Sequence, residues 1–109
     1  MNEREFFNQL SSTGHVWVAM KSSSVVSFAG SEGGVALPIW NSIENAQEFL
    51  SNVPSLISCQ AVEVPLEVFK VSWLSKTSMN IGELIINPNG LKPKDLVLSN
   101  EEFINGVWH

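Results

Sequence analysis

Apolar residues in this chain come in short runs, the longest being residues 16–20 and 35–40. Neither approaches the roughly 20 residues that a membrane-spanning helix needs. Runs of that length are strands or single faces of helices, so the core has to be assembled from several short elements packed together. At 109 residues the chain is long enough to do this. A domain of such size buries about two thirds of its unfolded surface without a metal or disulfide staple. The expectation is a single globular domain over residues 1–109.

Local patterns give an order of elements. Phe6, Phe7 and Leu10 mark a short amphipathic helix with Glu3 and Glu5 at the positive end of its dipole, and Gly14 stops it. Residues 15–20 are β-branched and aromatic, residues 25–28 read as a second strand, and Ser22, Ser23 and Ser24 form the turn between them. Gly30, Gly33 and Gly34 make a second turn into residues 35–40. Pro38 cannot donate to a ladder, so that strand is an edge or terminates there.

Asn41 and Ser42 cap a helix that carries Ile43, Ala46, Phe49, Leu50 and Val53 at helical spacing, with Pro54 closing it. Residues 59–64 alternate as a half-buried strand does. Pro65 suits a first helical position, followed by Leu66, Phe69 and Trp73 on one face. Residues 83–87 form a short strand and Asn89-Gly90 a turn. Pro93 opens a last helix, restarted at Ser99 to Glu102 and ended by Gly106. The order α-β-β-β-α-β-α-β-α implies an α+β fold, a mainly antiparallel sheet of about five strands with helices on one face. The other face is then wet or covered by a partner.

Charge narrows the function classes. Six basic against eleven acidic side chains, a net charge of -5, leave little to neutralise phosphates, which argues against nucleic acid. Charged residues are only 16% of the chain, against the usual quarter or so. Such a surface is rich in apolar area that a protein partner can cover. The first residues are acidic and mixed, without a cationic lead into an apolar run, which argues against a secretory signal. One cysteine, Cys59, forms no intramolecular disulfide, and the cytoplasm is the simplest compartment.

The strand ending Leu37-Pro38-Ile39-Trp40, and the stretch Val64-Pro65-Leu66-Glu67-Val68-Phe69 with Trp73-Leu74 beyond, resemble the bacterial domain of unknown function 2750 family. With Val16-Trp17 before them, the likeness runs from Gly14 to Leu98. The strand-to-helix step at Trp40 is also similar to the N-terminal domain of the type III secretion enhancer SseB family. The serine-rich first hairpin and the less acidic last segment depart from the first of these families. The likeness implies a fold and carries no catalytic residue over.

Catalytic readings of the residues meet simpler ones. Cys59 with His15 or His109 as base would make a thiol nucleophile, but a cysteine opening an alternating strand is more often a small buried hydrophobe. The two histidines have no metal-ligand spacing, so neither a metal nor a cofactor is expected. Glu44 and Glu48 share a helix face that reads as solvated, and Glu67 falls in a first helical turn where a negative charge is favoured. The glycines at 30–34 precede a strand rather than a helix, and no Gly-x-Ser-x-Gly elbow surrounds the serines.

Tryptophan is the informative residue, with four in the chain and no tyrosine. Trp73 belongs to a core face. Trp17 and Trp40, with neighbouring Pro38 and Phe28, are the candidate contact residues, because tryptophan buries a large area and keeps one donor. For Trp40 the competing reading is a staple that fixes the start of the following helix. Trp108 docks or seeks a partner chain. The function expected is a non-enzymatic protein-interaction module, with a protein partner or self-association and neither nucleic acid nor membrane as ligand. The alternatives are a small-molecule binder or hydrolase using Glu63, Glu67 or Cys59, and an acidic immunity-type inhibitor.

Overall fold

A computed structural model describes residues 3–22, 24–30, 34–56, 58–74, 81–88 and 96–107. Helix α1 (Glu3–Thr13) leads into β1 (His15–Lys21), β2 (Ser24–Val25), β3 (Phe28–Ala29) and β4 (Val35–Ile39). Helix α2 (Ile43–Asn52) and a short turn at Pro54–Leu56 precede β5 (Gln60–Pro65). Then α3 (Leu66–Val68) widens into a π-turn over Phe69–Trp73, and β6 (Ile81–Ile86), β7 (Leu96–Ser99) and α4 (Asn100–Val107) follow. The fold is α+β, as the sequence implies.

Two ladders carry the strands, in the orders β2-β1-β5 and β3-β4-β6-β7. An isolated antiparallel bridge joins them: the Trp17 N–H donates to the Trp40 carbonyl at 2.8 Å, and the Trp40 N–H to the Trp17 carbonyl at 3.0 Å. Among the described residues all pairings are antiparallel except β4 with β6, which is parallel.

Strand β1 shows how the layers are arranged. Successive side chains of a strand point to opposite faces. Val16 and Val18 join a core built from Phe6, Leu10, Phe69 and Phe103, while Trp17 packs against and Ala19 belongs to a second cluster with Trp40, Ala46, Phe49 and Leu50. Helix α2 therefore lies on the face opposite α1, the π-turn and α4. The expectation that all helices share one face does not hold, because the helical order along a chain does not say which side each crossover takes.

Other differences are local, beginning with the strand expected over residues 25–28, which is split between β2 and β3 in different ladders. Leu96 begins a strand instead of belonging to a helix opened at Pro93, which lies outside the described residues. Pro65 is the last residue of β5, with ψ 138°, and not the first helical one. The helix expected over Leu66, Phe69 and Trp73 keeps only three α residues before its turns widen, the Leu74 N–H reaching back to the Phe69 carbonyl at 3.0 Å.

The caps behave as their residues require. Ser42 caps α2 by accepting the Asn45 N–H at 3.2 Å. Ser99 and Glu102 form a reciprocal capping box on α4: Glu102 N–H to Ser99 Oγ at 3.1 Å, and Ser99 N–H to Glu102 Oε1 at 2.9 Å. Gly14, at φ 73°, ends α1 in a conformation that L side chains rarely adopt, and nothing crowds its absent Cβ.

Gly106 is needed for the opposite reason. It lies inside α4 rather than ending it, and a Cβ there would stand 2.4 Å from the Phe7 ring of α1. Phe7 is held by Phe6 and Phe103, with ring centroids 5.7 Å away in each case, so it has little room to yield. Alanine in place of glycine gains about 1 kcal/mol of helix propensity. Overpacking of a core contact costs about 1–3 kcal/mol. Gly106→Ala is therefore expected to lower the melting temperature measured by circular dichroism, despite its better helix propensity.

Trp40 should respond to a subtler change. Its ring is fully buried against Phe49, with centroids 5.2 Å apart, and its indole N–H donates to the Pro88 carbonyl at 2.8 Å. Trp40→Phe keeps an aromatic ring but strands that carbonyl, a loss of about 1–3 kcal/mol. Urea unfolding should show a reduced midpoint with little change of slope.

Candidate functional site

Helix α2 packs on the sheet through Ala46, Phe49 and Leu50, and this places its next turn alongside β5. Strand β5 pairs with β1 along its whole length, from His15 with Pro65 to Met20 with Gln60. Among the described residues no strand pairs with its other side.

Which backbone groups face that open side follows from the neighbours of β1. Trp17 spends its N–H and carbonyl on Trp40, and the Ala19 carbonyl accepts the Val26 N–H at 2.8 Å. Both residues thus face away from β5. Alternate residues of an antiparallel strand point their hydrogen-bonding groups in opposite directions. Val16, Val18 and Met20 bond β5, and their partners Val64, Val62 and Gln60 are spent on β1. Ala61 and Glu63, the partners of Ala19 and Trp17, turn their N–H and carbonyl groups to the open edge. The Leu66 N–H donating to the Gly14 carbonyl at 2.9 Å continues the same alternation.

A pocket flanks this edge on each face. On the α2 side Gln47, Leu50 and Ser51 face Cys59, Gln60 and Ala61 across about 430 Å³. On the other side Met20, Ser22, Ser58, Gln60 and Val62 surround about 380 Å³. Among the described residues neither lining contains a charged side chain. The rim's carboxylate is Glu63, half exposed, with His15 Nε2 at 3.5 Å from its Oε1.

The residues singled out by the sequence are scattered. Trp40 and Pro38 are closed off from solvent, so neither is a surface contact; Trp40 is the staple of the competing reading, tying the start of α2 to Pro88. Trp17 is half-buried against the α2 cluster. Phe28, 41% exposed, is the one of the four that is open to solvent, and it sits on β3, opposite Ala36. Trp108 and His109 lie outside the described residues.

The catalytic readings lose their geometry. Cys59 is buried, and His15 pairs with Pro65, six residues further along β5, which is about 20 Å away at strand spacing. Glu63 is next to His15, and Glu67 is 3.1 Å from Lys70 Nζ, each with its own neighbour. Glu44 and Glu48 are exposed on α2. Gly30 and Gly34 close a hairpin turn, the Gly30 N–H donating to the Gly34 carbonyl at 2.8 Å. Among the described residues no group of three or more His, Cys, Asp or Glu is placed to hold a metal ion. None of their helices is long and apolar enough to cross a membrane.

The rim of β5 was missed by sequence reasoning. The alternation of residues 59–64 identifies the strand, but its place at an edge is a tertiary fact. Pro65 was the available signal, since proline in a sheet keeps to edges and strand ends.

No curated protein matches the sequence. Residues 4–106 match the family described as Protein of unknown function (DUF2750), and this span takes in every described strand and nearly all of each helix. With the fold and the β5 rim lying inside that match, the chain belongs to the DUF2750 family.

Proposed function

We propose that the chain is a non-enzymatic protein-recognition domain that takes an extended segment of a partner along the open edge of β5. The observation that carries this reading is the pair of residues Ala61 and Glu63, whose backbone groups face outward between two pockets. A strand edge with unmade hydrogen bonds supplies affinity, and pockets on alternate faces supply selectivity. Helix α2 and the Trp40 staple hold the groove in shape before a partner arrives, which lowers the ordering cost of binding. A second copy of the chain presenting an extended segment is the homotypic form of the same recognition. The reading places the protein in the cytoplasm, where its single cysteine stays reduced.

Ala61→Pro tests it. The substitution deletes an outward N–H while leaving the bonds of Gln60, Val62 and Val64 to β1 in place, and proline is tolerated at such a position. Affinity capture from host lysate, followed by native mass determination, should show a stoichiometric partner on the wild-type chain. The variant, with an unchanged circular dichroism spectrum, should retain roughly a tenth as much or less, since a 1.4 kcal/mol loss is tenfold. Equal retention by both chains would remove β5 from the interaction.

A further inference from the structure

Resting on strand recognition at β5, we infer that the partner segment runs antiparallel to it and reads, from N to C, basic residue, apolar residue, uncharged residue. The window for pairing is short. At one end the Cys59 N–H is tied to the Leu56 carbonyl at 3.0 Å, and at the other Pro65 has no N–H to offer. Between them only Ala61 and Glu63 present both a donor and an acceptor.

An antiparallel strand saturates these four groups with two residues, one directly opposite each, and a single residue between. A parallel strand bonds to residues on either side of each position, so it would need a longer stretch, opposite residues 60–64, to make the same four bonds. Antiparallel pairing is also the more stable of the two per residue.

Face and chemistry then follow position by position. Residues directly opposite one another share a face of the sheet. Ala61 and Glu63 stand opposite Ala19 and Trp17, which belong to the α2 side. The partner residue facing Ala61 therefore points to the pocket under Gln47, Leu50 and Ser51, where an uncharged side chain loses no hydration that the lining cannot replace. The residue facing Glu63 lies on that same side, beside a half-exposed carboxylate in a chain of net charge -5. Lysine or arginine is the complement there, since opposite charges directly across a ladder attract and like charges repel. The residue between them faces Val62 on the other side, where Met20 and Val62 give the pocket its apolar wall. Because the strand is antiparallel, the residue facing Glu63 comes first in the partner.

The probe is the blocked peptide acetyl-Ser-Thr-Lys-Val-Ala-Ser-Thr-amide, titrated into the isotope-labelled full chain and followed by amide NMR. The expected result is movement of the Ala61 and Glu63 amide signals. A peptide with Glu in place of Lys should bind about tenfold more weakly, as attraction at one rim pair becomes repulsion. The variant Glu63→Lys, an exposed change that leaves the core untouched, should reverse that preference. Equal affinity for the two peptides, no binding by either, or signals moving away from β5 would overturn the inference. If the peptides fail while Ala61→Pro still loses its lysate partner, the residue pattern is wrong and strand recognition at β5 stands. If both fail, the rim is not the recognition surface.

Discussion

Strands β1 and β4 belong to separate ladders, and two backbone hydrogen bonds between Trp17 and Trp40 make them neighbours. A backbone hydrogen bond contributes only about 1 kcal/mol net, so the pair holds because of what encloses it. The Trp40 ring is buried against Phe49, and its indole is tied to a carbonyl 48 residues away. Next to it, the buried Asn41 accepts the side-chain amide of Asn45, donates its own amide to Gln9 Oε1, and gives its backbone N–H to Asn87 Oδ1. Asn87 in turn donates its N–H to Ile39. This seam connects α1, the β4–α2 step and the end of β6 through satisfied polar groups, which a buried junction requires.

The bridge also decides the chemistry of a strand it never touches. By taking both backbone groups of Trp17 it sets the alternation of the whole β1–β5 ladder, and so it determines that Ala61 and Glu63 turn outward. A slip of one residue would present Val62 and Gln60 at the rim and reverse the faces of every β5 side chain. Which β5 residues line the open edge is thus a consequence of tertiary packing at Trp40 rather than of any motif in β5 itself.

Much of the fold was legible because its signals are local. The Ser42 cap, the Phe6 and Leu10 face, the glycine hairpin at Gly30 and Gly34, and the alternation of residues 59–64 all express preferences that act over a few residues. Strand β7 was hidden because four residues following a Pro-Lys-Asp stretch carry too short a pattern to outweigh a helix-start signal. The parallel pairing of β4 with β6 and the placement of α2 opposite the other helices depend on long crossovers, which no window of sequence reports. Trp40 shows the same limit at one residue. Its composition class marked it as a contact, and only its distant partner Pro88 reveals it as a buried anchor.

The enclosure of Trp40 has an optical consequence. With four tryptophans and no tyrosine, fluorescence excited beyond the phenylalanine absorption band arises from indoles alone. An indole shut away from water emits further to the blue than a hydrated one, and Trp40 is held in that state by the same α2 contacts that wall the groove. Any event that lifts α2 from the sheet brings water to that ring and moves the emission toward the red. The protein therefore carries, without a label, a built-in gauge of whether its groove is intact.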